Sequence, residues 1–130
     1  MKKEIVKIEG VAPSPAPFNH IVKAGGFLFI TSQLSTDLET NKILPGNISE
    51  QARKALENMK FLVESCGSSM EDIVKVVIYM KDVNDFDEIN KVYKEFFKKG
   101  EEPARVAIQA KSPIKGIDVE IEAIAIAREK

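Results

Sequence analysis

Arg105 is one of only three arginines, with Arg53 and Arg128, in a chain of 130 residues. It opens the run "RVAIQA", whose other members include Val106, Ala107, Ile108 and Ala110. Further on, Glu120 and Glu122 interrupt "VEIEAIAI". A guanidinium in an apolar strand offers a planar, two-pronged donor for a carboxylate, and a nearby acid can move protons. Arginine where lysine is abundant favours the gripping role. The plain alternative is an ion pair across two strands at a subunit contact. On periodicity alone both readings stand open.

The other reactive side chains offer less. His20 is the single histidine, and no Ser or Cys partner lies at a recognisable spacing, so it reads as a surface or hydrogen-bonded structural residue. Cys66 ends a helical stripe and reads as a small core residue. Asn90 lies at the edge of a second stripe, within one turn of Phe86 and Tyr93 and two turns from Phe97, where a boundary amide is the plainer reading. Asp118, Glu120 and Glu122 could face a divalent cation, but carboxylates at alternate strand positions more often line a wet surface. "PIKG" and "AGG" lack phosphate-loop spacing. One His and one Cys argue against a nitrogen/sulfur metal site.

Composition bounds the rest. With 44% hydrophobic and 30% charged residues, the chain is expected to form one globular domain over residues 1–130. Its 19 basic and 20 acidic side chains nearly cancel, which argues against a nucleic-acid partner on charge grounds. The single cysteine fits a reducing compartment. "MKKEIVKIEG" lacks the apolar centre of a signal peptide, and no run is long enough to span a bilayer. The expectation is a cytoplasmic protein with no membrane association.

The elements that must position these residues follow from pattern. "APSPAPF" is extended, and "HIVKAGGFLFITSQLS" reads as a hairpin about Gly25-Gly26. After the turn-rich "DLETNKILPGN", Asn47 and Glu50 form a capping-box spacing for a helix ended by Gly67. Its stripe is Ala52, Ala55, Leu56, Met59, Leu62, Val63 and Cys66. "IVKVVIYMK" reads as a strand. Asn84 is expected to cap a second helix carrying Phe86, Ile89, Val92, Tyr93, Phe96 and Phe97, ended by Gly100. Two closing strands follow. The prediction is a two-layer α+β fold, a sheet with two helices on one face. Alternation assigns Val106, Ile108, Val119 and Ile121 to the helix side. If the last two strands pair as a hairpin, Arg105 and the glutamates share the other face. Ile124, Ile126 and half of "FLFI" lie there too, and the simplest cover for them is another copy of the chain.

Nearly the whole chain resembles the reactive intermediate deaminase (RidA/YjgF) family. "APSPAPF" is similar to its proline-rich entry segment, and "FLFITSQLS" to its Phe-Thr-Ser-Gly-Gln-Ile-Pro strand. "PARVAIQA" followed by "VEIEAIA" resembles its closing Pro-Ala-Arg and Ile-Glu-Ile-Glu-Ala-Ile-Ala signature. The resemblance implies a chorismate-mutase-like fold with a mixed sheet, and a homotrimer with clefts between subunits. It implies hydrolysis of enamine/imine intermediates (2-aminoacrylate and its tautomer 2-iminopropanoate, or 2-iminobutanoate) to 2-keto acids and ammonia. No cofactor or metal is implied, since an iminium carbon is electrophilic without one. By the same resemblance Arg105 holds the substrate carboxylate, Glu120 orients or activates water, the backbone at Ala107 meets the imine end, and Asn90 lies near the cleft.

Departures from the family pattern fall in the same region. Phe18 replaces a tyrosine, Thr31 a serine, Ser32 a glycine, and Val106-Ala107 a Ser-Cys pair. They leave the clamp and the acid in place but make the expected pocket more apolar. The second reading is a non-catalytic trimeric protein that binds small carboxylates. RNA cleavage, attached to relatives of this fold, fits poorly with balanced charge and no histidine pair.

Overall fold

The longest element starts for a local reason. Asn47 Oδ1 accepts the Glu50 N–H at 2.9 Å, and Glu50 Oε1 accepts the Asn47 N–H at 2.9 Å, a reciprocal capping box. In the computed structural model, which describes residues 1–128, helix α1 runs from Ile48 to Ser65 and breaks at Gly67, whose φ is 88°. Its stripe of Ala52, Ala55, Leu56, Met59, Leu62 and Val63 is buried, as the spacing predicts.

Six strands make one sheet in the order β1-β2-β3-β6-β4-β5. These are β1 (Glu4–Val6), β2 (Ile21–Ala24), β3 (Phe27–Gln33), β4 (Ile73–Met80), β5 (Ala104–Gln109) and β6 (Val119–Ile126). The β2–β3 hairpin turns on Gly25 and Gly26 at φ 58° and 84°, positive at both central residues as a type I′ turn requires. Among the described residues only the β4–β5 pair is parallel, so the sheet is mixed. Helix α2 (Phe86–Tyr93) lies in the β4–β5 crossover, as a parallel pair demands. Both helices and the sheet's inner side chains share one core, including Leu28, Ile30, Val76, Ile78, Val119 and Ile121. Among the described residues no helix is long and apolar enough to cross a membrane.

Two expectations at α2 are corrected. Asn84 is not its cap: Asp82 Oδ1 accepts the Asn84 N–H at 2.9 Å and starts a 3-10 turn, Val83–Asp85, that leads into the helix. The Asp82 carboxylate thus supplies, two residues earlier in the chain, the kind of side-chain cap expected of Asn84. The helix also stops at Tyr93, and Phe96 and Phe97 follow in turns. Phe97 is nevertheless buried, its ring 4.5 Å from that of Tyr93.

A larger correction concerns the last two strands. β5 and β6 do not form a hairpin: β4 lies between them. Nor do Val106 and Ile108 face the helices. They are 42% and 45% exposed on the open face, in register with Val77 and Tyr79, while Val119 and Ile121 are buried as expected. Arg105 and Ala107 take the helix side instead, in register with the buried Val76 and Ile78. Phe27 and Phe29 join the open face at 41% and 44% exposure.

Candidate active site

Arg105 reaches α2 because β5 enters the sheet with this residue on the inner side, at an exposed edge. Its Nη1 donates to Asn90 Oδ1 at 2.7 Å. The guanidinium carbon lies 4.8 Å from the Tyr93 ring centre and 5.5 Å from that of Phe86. Two turns of α2 thus supply two aromatic faces and a hydrogen-bond acceptor, which fix the plane of the fork. An open cleft of about 390 Å³ remains beside it, lined by Asn90, Tyr93, Lys94, Glu102, Pro103 and Arg105. The Tyr93 hydroxyl is buried and has no hydrogen-bond partner among the described residues. Burial pushes its pKa up to about 12, with the Arg105 charge opposing and Glu102 adding. Ala107 lies one step along the same inner row, on an edge strand whose outer backbone groups have no neighbouring strand.

Glu120 lies on the other side of the sheet. β6 alternates strictly, so Val119, Ile121, Ala123 and Ala125 are buried while Glu120 and Glu122 point to the open face. Ser112 Oγ donates to Glu120 Oε2, and Tyr79 Oη donates to Glu122 Oε1. That second bond is the main reason the Tyr79 pKa is pushed up to about 12, with burial and the charges of Glu122 and Glu120 adding to it. A cavity of about 190 Å³ opens beside Glu120, with Ser32, Tyr79 and Ser112 in its wall. Ser32 reaches it through an irregularity in β3, where the register with β6 shifts between Ile30 and Gln33. In the same irregular stretch the Thr31 N–H donates to His20 O at 2.9 Å and its carbonyl accepts from Gln33 Nε2 at 3.1 Å.

Within one chain the expected residues therefore fall into separate groups. Arg105, Asn90 and Ala107 lie on the inner side of the β5 edge, and Glu120 with Ser32 lies on the open face. Arg105 and Glu120 are on opposite faces, because the β4 strand between β5 and β6 fixes both registers. Phe18 lines neither cavity. It is 49% exposed in the proline-rich segment, edge-on to His20 with ring centres 6.4 Å apart. His20 Nε2 lies 3.1 Å from Ala12 O and is a local brace for that segment. The three carboxylates of the cation reading do not converge: Glu120 and Glu122 face Ser112 and Tyr79, and Asp118 lies against Gln51. Among the described residues no group of three or more His, Cys, Asp or Glu is arranged to hold a metal ion.

Sequence reasoning missed Ser112, Tyr79 and the aromatic cradle of Phe86 and Tyr93. Tyr93 was visible as a stripe residue three positions after Asn90, but its place under Arg105 depends on the β4–α2–β5 crossover. Ser112 sits in a loop, where no periodicity points at Glu120.

Comparison with known proteins places this fold. The family model described as Endoribonuclease L-PSP matches residues 9–127. A RutC family protein of Pyrococcus horikoshii is 44% identical over 95% of this chain and 97% of its own length. A 2-iminobutanoate/2-iminopropanoate deaminase of Dermatophagoides farinae is 38% identical over 89% of this chain and 91% of its own. Among solved structures, E. coli TdcF with bound serine superposes with a TM-score of 0.84 at 34% identity, covering 96% of this chain and 99% of that one. Sequence and fold agree over almost the entire length, and the chain belongs to the L-PSP/RutC family, to which RidA also belongs.

Proposed function

We propose that the chain hydrolyses small 2-imino acids to 2-keto acids and ammonia, in clefts between the subunits of a homotrimer. The observation that carries this reading is the Arg105 cradle. Asn90 and two aromatic faces hold the guanidinium with one Nη1 bond committed, and an open cleft adjoins its remaining donors. A small carboxylate is the ligand such a fork fits best. The relative named as an iminobutanoate/iminopropanoate deaminase points to the same substrate class.

In the proposed reaction Arg105 holds the carboxylate of an iminium, R–C(=NH2+)–COO−. Glu120 accepts a proton from water as the water oxygen bonds to the imine carbon, giving a carbinolamine. The same proton then passes to the amine; as the carbon–nitrogen bond breaks, Glu120 takes the carbinol hydroxyl proton and hands it to the departing ammonia, and the products are R–CO–COO− and NH4+. Orientation and one proton shuttle suffice, because the carbon is already electrophilic. The backbone at Ala107 meets the imine end, Thr31 and Ser32 shape the neighbouring walls, and Phe18, which lines neither cavity within one chain, reaches the cleft only in the assembled trimer. Since Arg105 and Glu120 occupy opposite faces of one sheet, a second copy must supply the missing half. The exposed Phe27, Phe29, Val106 and Ile108 give that copy an apolar surface to cover.

The test is ammonia release from freshly generated 2-aminoacrylate, with wild type and Glu120→Gln side by side. Wild type is expected to accelerate release, and Glu120→Gln to lose turnover while still binding a 2-keto acid. Tight keto-acid binding by a wild type that releases no ammonia above background would establish the non-catalytic carboxylate-binding reading instead.

A further inference from the structure

Glu120 has two carboxylate oxygens, and only Oε2 accepts from the Ser112 hydroxyl. The direction of that hydroxyl is fixed from behind. Ser112 Oγ accepts the Ile114 N–H at 3.1 Å, so a lone pair is occupied and the hydrogen is left to point at Glu120. The loop carrying Ser112 is itself held at both ends. At its start the Ala110 N–H donates to Met80 O at 2.9 Å. At its far end the buried Gln51 of α1 takes hold: Nε2 donates to Gly116 O at 3.2 Å, and Oε1 accepts the Asp118 N–H at 2.9 Å. Tyr79, another hydroxyl on this face, donates to Glu122 rather than Glu120. The two glutamates therefore do not share a donor.

From this we infer that Ser112 is a positioning residue for Glu120, an inference that rests on the deaminase reading of the site. The hydroxyl holds Oε2, fixes the carboxylate rotamer at the cavity wall, and leaves Oε1 as the oxygen that faces water. Without it the carboxylate rotates about its terminal torsion, which is broad for glutamate, and the water loses its alignment. Ser112 does not touch the Arg105 cleft, so substrate grip is independent of it.

Two substitutions and two readouts test this. Ser112→Ala is expected to lower kcat about tenfold, the scale of a lost hydrogen bond to a charged group, with KM and keto-acid affinity unchanged. Ser112→Thr keeps the hydroxyl and is expected to restore kcat. In parallel, the side-chain carboxyl 13C resonance of Glu120, assigned with Glu120→Gln, is expected to move in Ser112→Ala and return in Ser112→Thr. The Glu122 resonance should stay in place in both. Wild-type kcat in Ser112→Ala overturns the inference, as does a parallel fall of kcat and thermal midpoint that Ser112→Thr does not repair. A wild type without imine hydrolysis defeats the deaminase reading instead. The Ser112 assignment then stands or falls on the carboxyl resonance, and an unmoved Glu120 signal in Ser112→Ala overturns it.

Discussion

Replacing Arg105 with lysine keeps the charge and removes what the cradle was built to hold. In the native site the guanidinium spends Nη1 on Asn90 at 2.7 Å, lies over Tyr93 and Phe86, and still presents a second pair of donors. A lysine ammonium is a point charge on a flexible stem, and it cannot satisfy Asn90 and grip both carboxylate oxygens at once. Either the contact with Asn90 or one contact with substrate is lost, and a hydrogen bond to a charged group contributes about 1.5–3 kcal/mol. Both aromatic faces remain for the ammonium, so the stacking loss is smaller and is left out. The expected fall in kcat/KM is therefore roughly 10- to 150-fold. It is measured as imine hydrolysis on 2-iminobutanoate, with keto-acid affinity followed by calorimetry on the same preparations. Arg105 is half-buried at an edge strand and outside the core, so Arg105→Lys should stay folded with a thermal midpoint near wild type. Wild-type hydrolysis by Arg105→Lys would refute the clamp and leave Arg105 as a structural tie between β5 and α2.

Light scattering at micromolar concentration should give three times the 14.5 kDa chain mass, and a monomer would refute the covered open face. The chain's only tyrosines, Tyr79 and Tyr93, are both pushed up to about 12, one chiefly by Glu122 and the other chiefly by burial. Tyrosinate absorbance should therefore be nearly absent at pH 10.5, where an unfolded tyrosine near pKa 10 is largely ionised. The folded state holds these protons longer than the unfolded one, so stability should fall as pH rises from about 10 to about 12. Phenolate absorbance appearing with a midpoint near 10 in the folded protein would show that neither hydroxyl is held as described.

Local signals were the most legible part of the sequence. The Asn47–Glu50 box, the Gly25-Gly26 turn and the α1 stripe are each dictated by a few neighbouring residues, and each is found where pattern places it. The order of strands and helices was legible for the same reason. The pairing of β5 and β6 was not, because alternation says which residues share a face and nothing about which strand lies beside which. Here β4 intrudes between two strands that are consecutive in sequence. The side taken by β5 was hidden for a related reason. Val106 and Ile108 are as apolar as core residues, but they belong to an open face that is itself apolar, so a period of two had two equally good seats. Asn90, a boundary amide on the plainer reading of its helix, proved to be the acceptor that orients Arg105. That role depends on the crossover geometry and could not be read from spacing.

The placement of Arg105 and Glu120 on opposite faces of one sheet has a genetic consequence. In the proposed trimer each chain carries two half-sites that serve different neighbours, so a lesion in one half leaves the other fully usable. Chains carrying Arg105→Lys and chains carrying Glu120→Gln are each expected to be poor alone. Co-expressed in equal amounts and assembled at random around a three-fold ring, they should place an intact arginine opposite an intact glutamate in about a quarter of the clefts. Two defective alleles would then complement one another. A single chain carrying both substitutions, mixed with neither, would recover nothing.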